Sequence, residues 1–434
     1  MTRQIHLGVF VLGTGNHFAG WRMPGATDDF QDLAVSQTIA RIAERGKFDL
    51  LFFGDTPGVT PGMHPSYMVR PDPLLILSAL AATTTHIGLG ATASTTYSEP
   101  FTVARSFASL DHLSRGRAAW NAVTTSIANS SRNFGREHPP HDKRYEIAEE
   151  FVAVVRGLWD CWDDDAIVID RATGHYVDWS KVHPLDHRGT YFSVKGPLNV
   201  GRPPQGQPII LQAGGSDRGQ DLAARTADVV FSVVQDLDEA KAAYASFKAR
   251  VAEHGRNPGD VCLMPGIMPI VGRTDADARD ILNRLQSWVD DSSGMGLLSA
   301  RLGCDLSGYA LDQPVPDLPL PDSSHSFART LLAKARRESM TLRDLYNVTV
   351  AARGHLVVCG SAETIADTLE RWFVERAADG FNVMPAWFPG AFDAFVDEVV
   401  PLLQQRGLYR HDYTGRTLRD HLGLPRPAVQ RRQG

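Results

Sequence analysis

Polar residues stand at the ends of several short apolar runs, where folding could bring them together around a ligand. A carboxylate, hydroxyls and an amide in such positions can hydrogen-bond a ligand, and the C-terminal strand ends are where a barrel carries its active site. The alternative for each residue is local, since Asp and Thr at a strand end often fix a turn or satisfy nearby backbone groups. The residues in question are Asp55, Thr92, Ser94, Asn121 and Thr125.

The segment Gly214–Asp217 could bind an anion, because it precedes a short helical pattern that extends to Ala227. The free backbone N–H groups at a helix start, the hydroxyl of Ser216 and the small Gly215 together suit a phosphate. An ordinary N-cap by Ser216 or Asp217 explains the same residues equally well.

His141 and Tyr145 lie four positions apart near the start of a predicted helix. Their side chains would project from one face and could meet one ligand, although packing is the commoner reason for such a pair. No spacing among the polar candidates predicts a metal site, and we expect no metal. The remaining candidates are His17, His355, Asp28 and Asp29.

Eight apolar runs of strand length recur along the chain, and their continuous hydrophobicity is typical of strands buried on both faces of a parallel sheet. Helical patterns fall between them, so the order of elements favours a closed (β/α)8 TIM barrel. A doubly wound open sheet with one miscounted strand is the alternative. The predicted strands are Ile5–Phe10, Asp49–Gly54, Ile87–Ala93, Ala118–Thr124, Pro208–Ala213, Val229–Val234, Cys262–Val271 and Phe381–Trp387.

The helical patterns share a stripe of apolar residues at the spacing of one helix face. They are Leu33–Ala43, Phe101–Leu110, Tyr145–Trp159, Leu237–His254, Ala276–Val289 and Ser361–Ala378.

The 434 residues are predicted to form a single barrel domain with extended loop insertions. Two stretches, about 163–207 and about 290–349, fit no strand–helix unit and are interpreted as insertions. They are either lids over the site or disordered or oligomer-contacting excursions. From about residue 409 a basic tail is expected to be a solvated extension or arm. The first apolar run is interpreted as a strand of the mature protein and not as the apolar segment of a signal peptide, because polar residues interrupt it early.

The composition favours a small-molecule organic ligand. A formal net charge of −6 and a pI near 6.2 provide no basic field, so we expect neither nucleic acid nor a membrane as partner. The four cysteines form no CxxC pair, which favours a reducing cytoplasm. Dinucleotide and P-loop motifs are missing from the sequence. No predicted strand end offers the lysine or paired carboxylates of a barrel aldolase or isomerase.

Ordered blocks of sequence through most of the chain carry a resemblance to a known family. On these blocks the chain resembles the nitrilotriacetate monooxygenase component A group of the bacterial luciferase-like superfamily, which includes dibenzothiophene-sulfone and long-chain alkane monooxygenases. The blocks are Asp49–Asp55, Ala91–Tyr97 with Glu99 and Pro100, Ser109–Arg117, Trp120–Asn121, Asn133–Gly135, His141–Tyr145, Gln212–Gly219 and Ala378–Asn382.

The resemblance implies an FMN site at the barrel mouth. Tyr145 and Ser216 would contact the phosphate end, where a helix N-terminus favours an anion. Asn121, Ser94 and Asp55 would lie nearer the isoalloxazine ring, where hydrogen bonds tune its electronics. The full set of implied cofactor contacts is Asp55, Thr92, Ser94, Asn121, His141, Tyr145, Gly215 and Ser216.

The implied chemistry is that of a flavin-dependent monooxygenase. Reduced FMN (FMNH2) would react with O2 to give a C4a-peroxyflavin, which inserts one oxygen atom into a small organic substrate. The candidate catalytic residues are His355, His17 and Asn121; an imidazole pKa near neutrality suits a proton-transfer role, and a structural histidine is the alternative. His355 ranks first because it lies in the block Arg353–Gly360, which matches a family motif.

No second cofactor-binding unit is visible, so a separate NAD(P)H:flavin reductase is expected to supply FMNH2. The resemblance also implies a homo-oligomer, either a dimer or a tetramer. Two alternatives stay open. One is a deazaflavin-dependent oxidoreductase of the same fold, and the other is a flavin-binding carrier without turnover.

Overall fold

The computed structural model describes residues 3–59, 63–318 and 325–429. The described strands are β1 His6–Val11, β2 Leu50–Phe53, β3 Gly88–Ser94, β4 Ala118–Val123, β5 Ile167–Asp170, β6 His175–Val177, β7 His187–Arg188, β8 Ser193–Val194, β9 Ile209–Gln212, β10 Val229–Ser232, β11 Cys262–Val271, β12 Leu356–Gly360 and β13 Gly380–Val383.

The described helices are α1 Leu33–Arg45, α2 Pro65–Met68, α3 Pro73–Ala81, α4 Pro100–Leu113, α5 His141–Trp159, α6 Asp217–Thr226, α7 Leu237–Glu253, α8 Asp275–Ser287, α9 Asp291–Leu302, α10 His325–Arg337, α11 Leu342–Ala352, α12 Ala362–Val374, α13 Gly390–Ala394, α14 Val400–Gln405 and α15 Leu418–His421. In these described parts, no helix is long and apolar enough to cross a membrane.

Eight parallel strands close into a ring in the order β1, β2, β3, β4, β9, β10, β11, β13 and back to β1. The (β/α)8 barrel is therefore confirmed, every predicted strand belongs to it, and the open-sheet alternative is wrong. The additional strand β12 was not predicted. It pairs with β11 over Ile267–Val271, whereas β11 completes the ring by pairing with β13 at Gly266 and Ile267.

The barrel strands are apolar without alternation because both of their faces are buried. Along β1 and β2, Val9 and Leu51 belong to one buried cluster, whereas their neighbours Phe10 and Phe52 belong to another. The first cluster includes the inner faces of the surrounding helices, and the second fills the interior of the barrel. Full burial of each large side chain stabilises the fold by about 1.5–3 kcal/mol.

The first insertion, about 163–207, is ordered and packs against the outside of α5. It contains the hairpins β5–β6 and β7–β8. The carboxylate of Glu150 on α5 accepts hydrogen bonds from the backbone N–H groups of Tyr191 (3.0 Å) and Phe192 (2.9 Å). Salt bridges from Arg202 to Asp160 and Asp164 hold its end.

The second insertion, about 290–349, has its own apolar core in the described residues. The helices α9, α10 and α11 bring the fully buried side chains of Leu298, Leu331 and Leu345 together. A capping box between Thr341 and Asp344 starts α11. Disorder is therefore the wrong interpretation for the described parts of both insertions.

The basic tail is also not a solvated arm. Tyr409 and Leu418 are 1% and 0% exposed, and the guanidinium of Arg410 pairs with the buried carboxylate of Asp49 at the start of β2. Arg419 pairs with Asp228 at 3.0 Å, just before β10. The tail thus covers the N-terminal end of the barrel, opposite the end where barrel enzymes carry their sites. Arg431 and Arg432 lie outside the described residues.

Candidate active site

A cavity of about 1110 Å3 lies at the C-terminal ends of the barrel strands. Its wall is formed by the segments that follow β2, β4, β9 and β10, and by the first turns of α5 and α6. Arg329 of the second insertion also lines it, whereas none of the described residues in its wall belongs to 163–207. Of the two insertions, the second therefore contributes to the described cavity wall, and the lid interpretation of the first has no support from this wall.

Ser216 starts α6 and faces this cavity. Its hydroxyl oxygen accepts a hydrogen bond from the backbone N–H of Gly219 (3.1 Å). This is the ordinary N-cap that the sequence analysis gave as the alternative to anion binding. The same hydroxyl lies 3.2 Å from the hydroxyl of Tyr145 on α5. Capping and a place on the cavity wall are thus compatible, and the N-terminus of α6 points its partial positive charge at the same region.

Glycines keep space beside this pair of hydroxyls. A Cβ atom on Gly219 would lie 2.9 Å from the hydroxyl of Tyr145, and one on Gly214 would lie 2.9 Å from the Cα of Gly219. Both distances are too short for a side chain. The segment therefore needs glycine for close approach, as backbone that cradles a phosphate does.

His141 and Tyr145 project from one face of α5, as predicted. Their ring centroids lie 5.0 Å apart, and Nδ1 of His141 lies 2.9 Å from the carboxylate of Asp142. Both side chains line the cavity together with Gly215.

Arg144 lines the same wall and was not singled out from the sequence. It is 4% exposed, and its Nη1 donates to the backbone carbonyl of Thr125 (3.0 Å). Burial lowers its pKa, while Tyr145 and Tyr97 act in the opposite direction. Its Nε finds no hydrogen-bond partner among the described residues. Its position inside the block His141–Tyr145 was the available sequence signal.

Thr92 and Asn121 form a hydrogen-bond chain across three barrel strands. The hydroxyl of Thr92 on β3 donates to the carbonyl of Phe53 on β2 (2.9 Å). The amide nitrogen of Asn121 on β4 donates to that hydroxyl (2.9 Å), and the amide is 4% exposed. The Oδ1 atom of Asn121 has no hydrogen-bond partner within the described part of the chain. A buried acceptor without a donor costs about 1–3 kcal/mol, so a ligand N–H there would be favourable.

Ser94 differs from its neighbours in this group. Its hydroxyl oxygen accepts hydrogen bonds from the backbone N–H groups of Thr96 and Tyr97 (both 3.1 Å) and from the hydroxyl of Thr125 (2.8 Å). These contacts fit the local role weighed above. Like Thr92 and Asn121, it is not part of the cavity wall.

Asp55 follows β2 directly and lines the cavity. Burial raises the pKa of its carboxyl, and the opposing effects of Arg70 and the backbone N–H of Thr56 do not cancel that rise. This carboxyl therefore holds a proton more readily than an exposed aspartate does.

The two candidate histidines are buried and neutral. His17 is fully buried, its Nδ1 accepts from the backbone N–H of Ala19 (3.1 Å), and burial lowers its pKa to about 3. The ring of His355 stacks on Phe231 at 4.7 Å, and burial, with the charges of Arg353 and Arg301, lowers its pKa well below the ordinary value. The assumption of a near-neutral pKa is wrong for both rings, because neighbours distant in sequence desolvate them.

The two histidines also lie off the cavity wall, although the Phe231 ring that His355 stacks on belongs to it. The acids Asp28 and Asp29 are exposed and likewise not part of that wall.

The arrangement fits a flavin mononucleotide in two respects. Hydroxyls, a helix N-terminus and close-packed glycines provide an end for a phosphate. The unpartnered Oδ1 of Asn121 provides an acceptor for a ring N–H group. Both features lie at the end of the barrel where enzymes of this fold bind substrates.

Comparison with known proteins gives the family. Residues 9–380 match the family model described as luciferase-like monooxygenase. The chain is 48% identical over 430 residues to an N-acetyl-S-(2-succino)cysteine monooxygenase of Bacillus subtilis (strain 168), with 98% of each chain covered. It is 43% identical over 443 residues to nitrilotriacetate monooxygenase component A of Aminobacter aminovorans, covering 98% of this chain and 97% of that one.

A solved structure of a riboflavin lyase with modified FMN and riboflavin is also similar. It matches with a TM-score of 0.86 at 30% identity, covering 99% of this chain and 98% of that chain. These matches extend over nearly the whole length and confirm the resemblance given by the sequence blocks. The chain belongs to the luciferase-like monooxygenase family, and it is a flavin-dependent monooxygenase.

Proposed function

We propose that this chain is the oxygenase component of a two-component system, which binds reduced FMN at the barrel mouth and inserts one atom of O2 into a small organic substrate. The observation that carries the proposal is the contact between Ser216 and Tyr145 on the wall of the strand-end cavity. It joins two hydroxyls to a helix N-terminus, which is an arrangement suited to a phosphate.

The phosphate end would be held by three kinds of group. Tyr145 would donate its hydroxyl hydrogen, Ser216 would donate its own by turning it away from Tyr145, and the first turn of α6 would offer backbone N–H groups. The guanidinium of Arg144 adds a positive charge on the same wall. His141, beside Tyr145, limits the space on the solvent side.

The ring end would be held by Asn121, with Thr92 as the group that orients its amide. Since Nδ2 of Asn121 is already bonded to Thr92, the amide presents Oδ1 to the ligand. Asn121 itself lies behind the cavity wall, whereas the next residue, Ala122, and Asp55 line it. Bound reduced FMN supplies the two electrons with which O2 is divided between the substrate and a water molecule.

The contribution of the remaining residues would be to exclude water and to accept a hydrogen bond. Phe231 provides an apolar wall, and a dry site favours oxygen transfer over release of hydrogen peroxide. Burial and the charges of Arg353 and Arg301 lower the pKa of His355 and make it a poor proton acceptor, but its Nδ1, which has no hydrogen-bond partner among the described residues, can accept a hydrogen bond.

A separate NAD(P)H:flavin reductase would supply the reduced FMN. The relative named as a component A supports this division of labour. We also expect a homo-oligomer, a dimer or tetramer, which light scattering would measure. A cytoplasmic location is supported by four cysteines that are free thiols.

The test is stopped-flow absorbance after the protein, loaded anaerobically with FMNH2, is mixed with oxygenated buffer. We expect a transient spectrum that differs from those of reduced and oxidised FMN and outlasts the transient of free flavin. Immediate return to oxidised FMN, with and without substrate, would favour the carrier. Tighter binding of a deazaflavin than of FMN would favour the deazaflavin enzyme.

Two acids are the first substrates to try, because similar proteins are named for them. N-acetyl-S-(2-succino)cysteine is a thioether with three carboxylates, and nitrilotriacetate is a tertiary amine with three carboxylates. Incorporation of label from isotopically labelled O2 into the product would establish oxygenation.

A further inference from the structure

A cluster of arginines surrounds one tyrosine beside the proposed flavin site. The guanidinium carbon of Arg70 lies 4.6 Å from the ring centroid of Tyr67, and that of Arg353 lies 5.9 Å from the same centroid. Arg353 also lies 5.3 Å from the ring centroid of Phe10. Arg301 lowers the pKa of both Tyr67 and Arg353, and we call Tyr67, Arg70, Arg301 and Arg353 the arginine cluster.

Arg353 is buried without full hydrogen bonding. It is 5% exposed, its Nη2 donates to the amide oxygen of Asn16 (3.0 Å), and its Nη1 has no partner among the described residues. A buried guanidinium normally has its donors satisfied, because an unmade hydrogen bond from a charged group is costly. The free Nη1 therefore points to a missing acceptor.

Positive charges act on the buried guanidinium of Arg353. Burial lowers the pKa of Arg353 to about 10; Tyr67 opposes this decrease, whereas Arg301 and Arg70 contribute to it. Among the described residues, no carboxylate acts on the pKa of Arg353, whereas the carboxyl of Asp55 does act on the pKa of Arg70. Burial would raise the pKa of Tyr67, but the charges of Arg353, Arg70 and Arg301 outweigh it and lower that pKa. A site of this kind favours an anion.

The arginine cluster adjoins the proposed flavin site on two sides. Arg70 donates to the carbonyl of Gly54 (2.7 Å), next to Asp55 on the cavity wall. Arg353 lies two positions before His355, whose ring stacks on the wall residue Phe231. Ser216 and Tyr145, in contrast, belong to the opposite set of strand ends, after β9 and at the start of α5.

We propose that the arginine cluster binds a carboxylate group of the substrate, with Nη1 of Arg353 as its principal donor, so that the substrate is a small organic acid. This inference rests on the proposed function, because it assigns the flavin phosphate to Ser216 and Tyr145. The carboxylate takes the place of the missing acceptor and compensates the buried charge. A guanidinium is suited to this task because it can donate two parallel hydrogen bonds to one carboxylate.

The test variant is Arg353→Met, which keeps an unbranched stem that can fill the inner part of the site and removes the charge. Calorimetric titration of the FMN-loaded protein measures binding of the two tricarboxylic acids and of their trimethyl esters, which lack the negative charges. We expect wild type to bind at least one acid more tightly than its ester. We expect Arg353→Met to weaken binding of that acid at least about tenfold and to leave binding of the ester unchanged.

Three controls accompany this variant. Arg353→Lys keeps the charge and should lose less affinity for the acid than Arg353→Met. Arg105→Met removes a charge from an exposed site on α4 and should change nothing. If Arg353→Met does not fold, Arg301→Met tests the same charge from a partly buried position on α9.

The possible failures are distinguishable. If wild type binds neither acid more tightly than its ester, or if the arginine variants leave acid binding unchanged, the carboxylate assignment is overturned. If Arg353→Met weakens binding of FMN instead of binding of the acid, the arginine cluster binds the flavin phosphate, and the carboxylate assignment is likewise overturned. If wild type binds the acid but does not oxygenate it, the proposed function is refuted and the carboxylate site still stands.

Discussion

The hydroxyl oxygens of Ser216 and Tyr145 lie 3.2 Å apart across 71 positions of sequence. This contact ties the first turn of α6 to α5 and sets the width of the cavity between them. Because Ser216 donates its hydroxyl hydrogen to Tyr145, the hydrogen of Tyr145 stays free for a phosphate oxygen, and Ser216 would donate to the same oxygen by turning its hydroxyl away from Tyr145.

Ser216→Asp is expected to weaken FMN binding at least about tenfold. Aspartate can cap α6 as serine does, but its negative charge would repel the phosphate, by about 4 kcal/mol at about 4 Å in an effective dielectric of about 20. Fluorescence titration of FMN measures the change. Ser216→Asn, which caps the helix without a charge, is the matched control and should bind FMN much more tightly than Ser216→Asp does. Equal affinity of the two variants would remove the phosphate from this position.

Asn121→Ala is expected to weaken FMN binding about fivefold and to increase peroxide release per reduced flavin consumed. The variant removes the buried Oδ1 acceptor, and a typical net hydrogen bond contributes about 1 kcal/mol. Thr92→Val leaves that acceptor in place but removes the hydroxyl that orients the amide, so we expect a smaller effect on affinity. A larger loss in Thr92→Val than in Asn121→Ala would contradict the assignment of Oδ1 to the ring.

His17 is expected to make the fold sensitive to acid. Its pKa is lowered to about 3 by burial, so the unfolded chain binds a proton more readily between about pH 3 and 6.5. The contribution of His17 to the free energy of unfolding is fully present above pH 6.5, and it falls as the pH falls. The decrease amounts to about 2 kcal/mol at pH 5.

His17→Asn should remove this loss, because the asparagine oxygen can accept from the N–H of Ala19 as Nδ1 does but does not titrate. Urea unfolding at pH 7 and pH 5, followed by tryptophan fluorescence, measures the difference. His175→Asn, on the exposed β5–β6 hairpin, is the control and should follow wild type. An equal pH dependence in His17→Asn and wild type would refute the prediction.

The barrel could be predicted from the sequence because its signal is local. Continuous apolar runs such as Ile5–Phe10 reflect burial of both strand faces, and the position of polar residues after each run marks the strand ends. Ser216 and Tyr145 could be assigned to one region for the same reason. Their separate helix starts both lie at the C-terminal end of the barrel.

What sequence could not predict depends on contacts between distant residues. The lowered pKa of His355 arises from burial and from the charges of Arg353 and Arg301. Arg301 is distant in sequence, so nothing in the residues around His355 indicates that it lies near this ring. The prediction that the C-terminal tail is a solvated arm failed for a related reason. Leu418 is a single leucine between polar residues, and its partner is Gly88, where a Cβ atom would lie 2.7 Å from its Cδ1.

Arg410→Met is expected to destabilise the fold by about 3–5 kcal/mol, because it leaves a buried carboxylate without its counter-ion. Asp49 is fully buried; burial would raise its pKa, but Arg410 and His6 outweigh that effect and hold it below the ordinary value. Arg416→Met removes an equal charge from an exposed position of the same tail and should leave the free energy of unfolding, measured in urea, within about 0.5 kcal/mol of wild type. If both variants unfold alike, the tail does not seal the barrel. FMN affinity of folded Arg410→Met should match wild type, since this ion pair lies at the opposite end of the barrel from the cavity.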